Sequence, residues 1–309
     1  MLFVHRLVAV TVVSSAALLA WPAASAAQEN WDRYRVDAVL VDEPPTIDGV
    51  LDERSWNQAA VIDEFIQQEP FEGQPGSERT EVRILYDART LYIGLQAFDA
   101  APSSIRATEM RRDSDRVLQE DNFQIILDTF MDSRSAYMFV TNPLGAQLDQ
   151  QVFNEGEGGR PGMPSTNINR DWDAIWEVTA RRTGEGWNAE IAIPMSTLRF
   201  PDAEEQLWGL NFMRNIGRKN EQALWAPVPK AYSITRVSLA GAIGGMQSVS
   251  SGSDLRITPF VTGGARRISD DGVVDSSTES DAGIDLRYGL TPGLNLDLTF
   301  NTDFAQAEV

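Results

Sequence analysis

Three carboxylates and an indole fall within nine positions of the segment Thr46-Ile47-Asp48-Gly49-Val50-Leu51-Asp52-Glu53-Arg54-Ser55-Trp56. Such a set could hold a cation, do acid–base work, or simply fold a loop. A calcium loop needs acids at alternate positions, a following glycine and a distal glutamate, and this spacing does not match. Asp48-Gly49 instead favours a tight turn, because glycine accepts positive φ. Asp52 is then expected to cap a short helix over 52–59 and to turn Trp56 into a core. Turn-and-cap is the main reading, and cation binding stands beside it.

The other acids give no obvious catalytic pair. Asp121 and Asp128 flank an apolar strand, which puts them about 20 Å apart, whereas glycoside-cleaving carboxylates lie within about 10 Å. Glu155, Glu157, Asp171 and Asp173 sit on or beside the long loop 154–171. They could converge there, although solvated loop acids are commoner. The run 156–162 is glycine-rich, but no βαβ unit surrounds it, so it is weak as a phosphate cradle.

Aromatic residues are the other chemical resource. Trp172 and Trp176 are four apart in Asn169-Arg170-Asp171-Trp172-Asp173-Ala174-Ile175-Trp176. If this stretch is a strand, both face one side. Trp172 between two aspartates could stack on a sugar ring while the acids take its hydroxyls; alternatively it covers a sheet edge. Trp225 precedes two prolines and is expected in an exposed loop. Trp187 and Trp208 alternate with apolar neighbours and read as core.

Two absences narrow the chemistry. The chain has no cysteine, and its one histidine is His5. Residues 1–27 read as a signal peptide: a basic start, an apolar run from Leu7 to Leu19, and a small-residue site allowing cleavage after Ala26 or Ala27. The apolar run is shorter than the roughly 20 residues of a spanning helix. The mature chain then has no imidazole and no thiol, which excludes Ser-His-Asp and Cys-His catalysis and ordinary zinc sites. Carboxylates, oxygen-bound cations and aromatic surfaces remain. The net charge of −19 falls to −20 when Arg6 leaves, and the only lysines are Lys219 and Lys230. Nucleic acid is therefore an unsuitable partner.

The elements that must position these residues are short strands. Residues 81–99 read as a hairpin turning at Asp87–Thr90, and 121–130 as a strand. Residues 135–153 form a second hairpin turning at Asn142-Pro143-Leu144-Gly145. Strands follow over 186–194, 207–215 and 234–241. An all-β sandwich over 36–240 is expected, with a polar linker over 241–253. Beyond it, Ile284, Leu286, Tyr288 and Leu290, and then Leu294, Leu296, Leu298 and Phe300, alternate with polar residues. That pattern fits transmembrane β-barrel strands over 254–309, and an ordinary soluble sheet equally. Three strands cannot close a barrel, so either more chain is expected after Val309 or the strands serve something else.

The string Ile47-Asp48-Gly49-x-Leu51-Asp52-Glu53-x-x-Trp56 is followed in order by "VRILYDARTLYIGLQAFD", "DNFQIILDT", "YMFVTN", "GWNAEIAIP" and "WGLNFMRN". Together they resemble the carbohydrate-binding module family 9-like domain, over about 38 to 240. The C-terminal part is similar to the start of an outer-membrane β-barrel that follows such a domain in a group of bacterial surface proteins. The resemblance implies a β-sandwich, possible structural calcium, and a sugar clamp. Sugar-binding members carry a tryptophan where this chain has Leu118, a carboxylate at Gln124, and an arginine near Val140. Asn142 is kept, and a second clamp tryptophan falls near Tyr232.

The expected function is an exported glycan-binding module at the periplasm, outer membrane or cell surface, linked to carbohydrate catabolism. Its expected contacts are Gln124, Asn142, Trp172, Trp225 and Tyr232. A sugar-free scaffold or plug of a barrel is the alternative, and a glycoside hydrolase a third.

Overall fold

The computed structural model describes residues 30–158, 165–250, 255–270, 273–291 and 294–301. The expected signal peptide lies outside the described residues. Seventeen strands are present among those that are described. The first five are β1 (Arg35–Asp37), β2 (Val39–Leu40), β3 (Ile66–Glu69), β4 (Thr80–Tyr86) and β5 (Thr90–Phe98). Next come β6 (Asn122–Asp128), β7 (Ala136–Thr141), β8 (Gln147–Val152), β9 (Ile168–Asn169) and β10 (Glu177–Thr183). Then follow β11 (Gly186–Pro194), β12 (Glu205–Ile216), β13 (Glu221–Leu224) and β14 (Gly241–Gln247). The last three are β15 (Leu255–Asp270), β16 (Val273–Thr291) and β17 (Leu294–Phe300).

The first sheet runs β1-β14-β12-β6-β7-β8-β9, with β13 bridging β12 to β3; the second runs β10-β11-β5-β4-β2. The expected sandwich is there, and period-2 alternation explains it. Phe123, Ile125 and Leu127 of the first sheet meet Val82, Ile84, Leu91, Ile93, Ala189 and Ile191 of the second in one core cluster. Burying each large aliphatic there contributes about 1.5–3 kcal/mol. The chain passes from β1 in the first sheet to β2 in the second, so its N-terminal stretch ties the layers together.

Both sheets are apolar on their outer faces as well. Ile126, Met138, Val140, Leu148 and Met213 on the first sheet are covered by Val117, Val228, Ile234 and Val237. Leu85, Tyr92 and Ala192 on the second are covered by Trp56, with Ile47 and Leu51 packed against them. The opening segment is thus a lid on the second sheet. Glu190 fastens it: one carboxylate oxygen accepts the N–H of Asp48 at 2.9 Å and of Gly49 at 2.8 Å, and the other the Trp56 indole N–H at 2.9 Å. Gly94 makes room, since a Cβ there would meet Leu51 at 2.6 Å and Trp56 at 2.9 Å. Gly49 has φ +84°, which explains the Asp-Gly pair.

Three local expectations fail. Asp52 caps nothing; the short helix is a 3-10 turn over Arg54–Gln58 preceded by Glu53, whose carboxylate accepts the Thr46 N–H at 2.8 Å. Residues 234–240 are not a strand but include a 3-10 turn over Val237–Leu239. Residues 241–247, expected within a linker, form β14 between β1 and β12. Close backbone approach is the physical reason. A Cβ on Gly241 would lie 2.4 Å from the Tyr34 carbonyl, and one on Gly245 3.0 Å from Asp37. Small residues are needed there, and in sequence they imitate a linker.

At one end of the sandwich Arg214 of β12 is fully buried and donates to the carbonyls of Arg79 at 2.9 Å and Phe98 at 2.6 Å. It joins the two sheets through charge-assisted bonds. Burial pushes its guanidinium down to about 10 against the fields of Asp99 and Asp121.

The third sheet, β15-β16-β17, is an antiparallel meander. Ile257, Val261, Ile284, Leu296, Leu298 and Phe300 are exposed on it.

Glu190→Ala leaves three N–H donors, those of Gly49 and Trp56 buried and that of Asp48 partly so, without an acceptor. It is expected to lower unfolding stability by on the order of 3 kcal/mol in urea titration. Trp56→Phe, which loses one of those donors and little apolar area, is expected to cost less.

Candidate functional site

The outer face of the first sheet carries polar groups inside an apolar row. Gln124 on β6 lies opposite Val140 of β7 and Met213 of β12. Gln150 on β8 lies opposite Met138. Strand alternation puts Gln124, Val140, Met138, Gln150 and Met213 on this one face. β7 runs between the two glutamines, which places their backbones roughly 10 Å apart.

Both glutamines are about 4% exposed. Gln124 donates through Nε2 to Asn122 Oδ1 at 3.0 Å, and its carbonyl oxygen has no hydrogen-bond partner among the described residues. The Gln150 amide has none there either. Asn122 in turn donates to the carbonyls of Val117 and Glu120, each at 2.9 Å. That holds the segment bearing Leu118 over the face, where Leu118 packs on the apolar cluster.

Tyr232 stands at the margin of this face with 44% of its surface exposed. Its loop is fixed by Gln68 Nε2, which donates to the carbonyls of Val228 at 2.8 Å and Tyr232 at 3.1 Å. The same loop sends Val228 and Ile234 into the cluster beneath. The Arg236 guanidinium lies 4.5 Å from the Tyr232 ring centre and pairs with Glu155 at 3.1 Å and with Glu157.

Gln124 thus lies on this outer face, and Tyr232 on the loop whose Val228 and Ile234 pack on it. Asn142 lies at its rim and is fully buried. Its Oδ1 accepts the N–H groups of Leu144 at 3.0 Å and Ala146 at 3.1 Å, and its Nδ2 donates to the Glu109 carbonyl at 2.8 Å. It is a turn residue.

The two indoles lie elsewhere. Trp225, expected exposed, is 6% exposed and packs in the core with Tyr34 and Phe212, at centroid distances of 6.1 and 6.0 Å. Its backbone N–H donates to the Phe212 carbonyl at 3.1 Å, which turns the ring inward ahead of the prolines. Trp172 is half-buried against Tyr137 and Phe139 at 4.9 and 5.8 Å. Its stretch is irregular chain rather than strand; β10 starts at Glu177. Trp176 donates to Asp149 Oδ1 at 2.9 Å, and Arg112 reaches the same oxygen at 2.7 Å and Asp173 at 2.8 Å. The segment thus seals a sandwich edge.

Sequence reasoning missed Gln150. The signal was available in Gln147–Val152, where Leu148 and Val152 flank it at spacing two in a buried row.

Asp121 and Asp128 anchor opposite ends of β6. Asp121 accepts the Arg106 N–H at 2.9 Å, and burial raises its carboxyl. Asp128 accepts the N–H groups of Phe130 at 3.2 Å, Asp132 at 3.2 Å and Ser133 at 2.8 Å. Burial pushes its carboxyl up to about 6 despite those bonds.

A structural calcium was one expectation of the resemblance. Among the described residues, no group of three or more Asp, Glu, His or Cys gathers. Glu78 and Asp99, which do come together, are neutralised by Arg218 at 2.7 and 2.5 Å and by Lys219. A concavity of about 280 Å³ lies on the other sheet, lined by residues including Gln96, Thr183, Glu185 and Asn188. It is remote in topology from Gln124 and Tyr232.

The packed sheets define an all-β sandwich with one partly polar outer face. The chain belongs to the carbohydrate family 9 binding domain-like family, whose model matches residues 47–226. A family 9 carbohydrate-binding module from Caldicellulosiruptor kristjanssonii in complex with cellotriose is similar at 16% identity, covering 68% of this chain and 92% of its own, with a TM-score of 0.48. A module from the same organism in complex with glucose matches at 15% identity, with 68% and 94% covered and a TM-score of 0.48. A candidate carbohydrate-binding protein from Bacteroides uniformis ATCC 8492 matches at 14% identity, with 68% and 98% covered and a TM-score of 0.53. No curated protein matches.

Asp128 generates a pH prediction. Its raised carboxyl means that folding takes up a proton between the ordinary aspartate value and about 6. Stability from this group is present at low pH and lost as pH rises through that window. Asp128→Asn should therefore gain on the wild type by on the order of 2 kcal/mol between pH 4 and pH 7. Denaturant midpoints across that range check it; a constant difference would contradict it.

Proposed function

We propose that this chain is an exported glycan-binding module carried by strands that lie in an outer membrane, and that it serves carbohydrate catabolism. The carrying observation is the pair of glutamines, Gln124 and Gln150, set in an otherwise apolar row on the face covered by the loop that bears exposed Tyr232. A side-chain amide both donates and accepts, which suits sugar hydroxyls. A tyrosine ring offers a flat apolar surface for a sugar's C–H face. Family membership supports the reading, and relatives of this family are seen with cellotriose and glucose. The membrane part rests on the exposed apolar row of the third sheet.

A second reading has its own observation. Arg236 covers one face of the Tyr232 ring, and Leu118 and Val140 stand where sugar-binding members carry a tryptophan and an arginine. This favours a sandwich kept as a scaffold or plug of a barrel. The hydrolase reading finds little support: Glu155 and Glu157 share Arg236, and Asp173 is held by Arg112.

Binding of the detergent-solubilised protein to a glycan array decides between the first two. Gln124→Ala, Gln150→Ala and Tyr232→Ala are each expected to weaken the retained glycan about tenfold or more. Trp225→Ala is expected to lower stability by about 3–5 kcal/mol. Wild-type protein that retains no glycan would sink the module reading and leave the scaffold.

A further inference from the structure

The third sheet is apolar over only part of its length. In register, Leu255, Ile257, Pro259 and Val261 of β15 face Tyr288, Leu286, Ile284 and Ala282 of β16. Leu296, Leu298 and Phe300 of β17 continue the row beside Tyr288, Leu286 and Ile284. The intervening row pairs Arg256 with Arg287 and Thr258 with Asp285, then Arg287 with Asp297. Beyond Val261 and Ala282 the apolar row stops. Gly263 pairs with Ser280, Ala265 with Thr278 and Arg267 with Ser276, while the other row carries Thr262 with Asp281 and Gly264 with Glu279.

The β15–β16 hairpin therefore has two halves. Near its base, Ala282 to the end of β16 at Thr291 is about the 9–11 residues that a tilted strand uses to cross a bilayer. Towards its tip, Thr262–Asp270 and Val273–Asp281 are mostly polar, with Ile268, Val273 and Val274 the large apolar residues among them, and project roughly 30 Å further. The other connection behaves differently. β16 ends at Thr291 and β17 starts at Leu294, so the chain turns at once at the edge of the apolar band.

This asymmetry carries direction. Outer-membrane strands turn tightly on the periplasmic side and extend on the outer side. The short connection between Thr291 and Leu294 and the start of β15 share one end of the sheet, because β15 and β17 both run antiparallel to β16. The sandwich joins at that end, through the residues between Gln247 and Leu255.

We infer that the sandwich hangs on the periplasmic side of the membrane, and that the polar tip around Asp270 and Val273 reaches the cell exterior. The inference rests on the proposal that these strands lie in an outer membrane. It narrows the ligand of the first sheet's face to a glycan present in the periplasm, rather than one met at the cell surface.

The absence of cysteine makes the test clean. Single variants of the full chain are expressed in a host with an outer membrane and treated with a membrane-impermeant maleimide. Ser269→Cys marks the tip, Val261→Cys the apolar band, and Ile175→Cys the sandwich at a 68% exposed position. Leu40→Cys repeats the sandwich arm at 58% exposure in case one variant misfolds.

Ser269→Cys should label in intact cells. Ile175→Cys and Leu40→Cys should label only after the outer membrane is permeabilised. Val261→Cys should stay protected in both states and label once the protein is denatured. Sandwich cysteines that label in intact cells, or a tip that does not, overturn the orientation while a protected Val261→Cys keeps the membrane reading. A Val261→Cys that labels on permeabilisation alone overturns the membrane reading itself.

Discussion

The fold depends on a buried carboxylate that the chain's own N–H groups bind. Glu190 sits in the middle of β11, fully buried, and is bonded by three N–H donors from one segment. A buried anion is costly unless its lone pairs are used, and here the protein's own backbone and one indole use them. That arrangement ties a loop 141 residues away in sequence to the second sheet. It also allows a sheet that is apolar on both faces to be sealed on the outside by Trp56. Burial raises the Glu190 carboxyl, and the bonds to Asp48 and Gly49 oppose that rise. The acids of the opening segment are thus scaffold parts, with Asp48 turning the chain, Glu53 holding Thr46, and the indole reporting to Glu190.

The same logic organises the first sheet, with a different outcome. Its outer face is also apolar and also roofed, by the segment around Val117 and by residues 226–240. Here, however, Gln124 and Gln150 interrupt the row with amides whose bonds are not all used within the described residues. A side-chain amide can both donate to and accept from an incoming polar partner. Asp149, by contrast, is saturated by Arg112, Trp176 and Ala174 and closes the edge. On the proposed reading, the amides of Gln124 and Gln150 belong to the recognition surface and Asp149 to the scaffold.

Much of this was legible in the sequence because strand alternation is a local code. The hairpins over 81–99 and 135–153, the strand of Trp187 and the role of Gly49 all follow from period two and turn chemistry. Directions fixed by distant packing were not legible. Trp225 lies ahead of prolines and looks exposed, yet Phe212 and Tyr34 draw it inward. Trp172 and Trp176 are four apart, but the chain between them is irregular, so strand reasoning does not apply. β14 was hidden because its glycines answer to the backbones of Tyr34 and Asp37, which no local rule sees. Of the proposed site, Gln124 and Tyr232 came from family resemblance. Gln150 was readable as a polar break in a buried row.

Hydrogen exchange of the intact protein, with and without cellotriose and other short oligosaccharides, tests the central claim most directly. The account predicts added protection in β6, in β8 and in the loop bearing Tyr232, all on the outer face of the first sheet. Protection confined to residues 171–176 or to the concavity beside Gln96 and Asn188, with the first sheet unchanged, would contradict it.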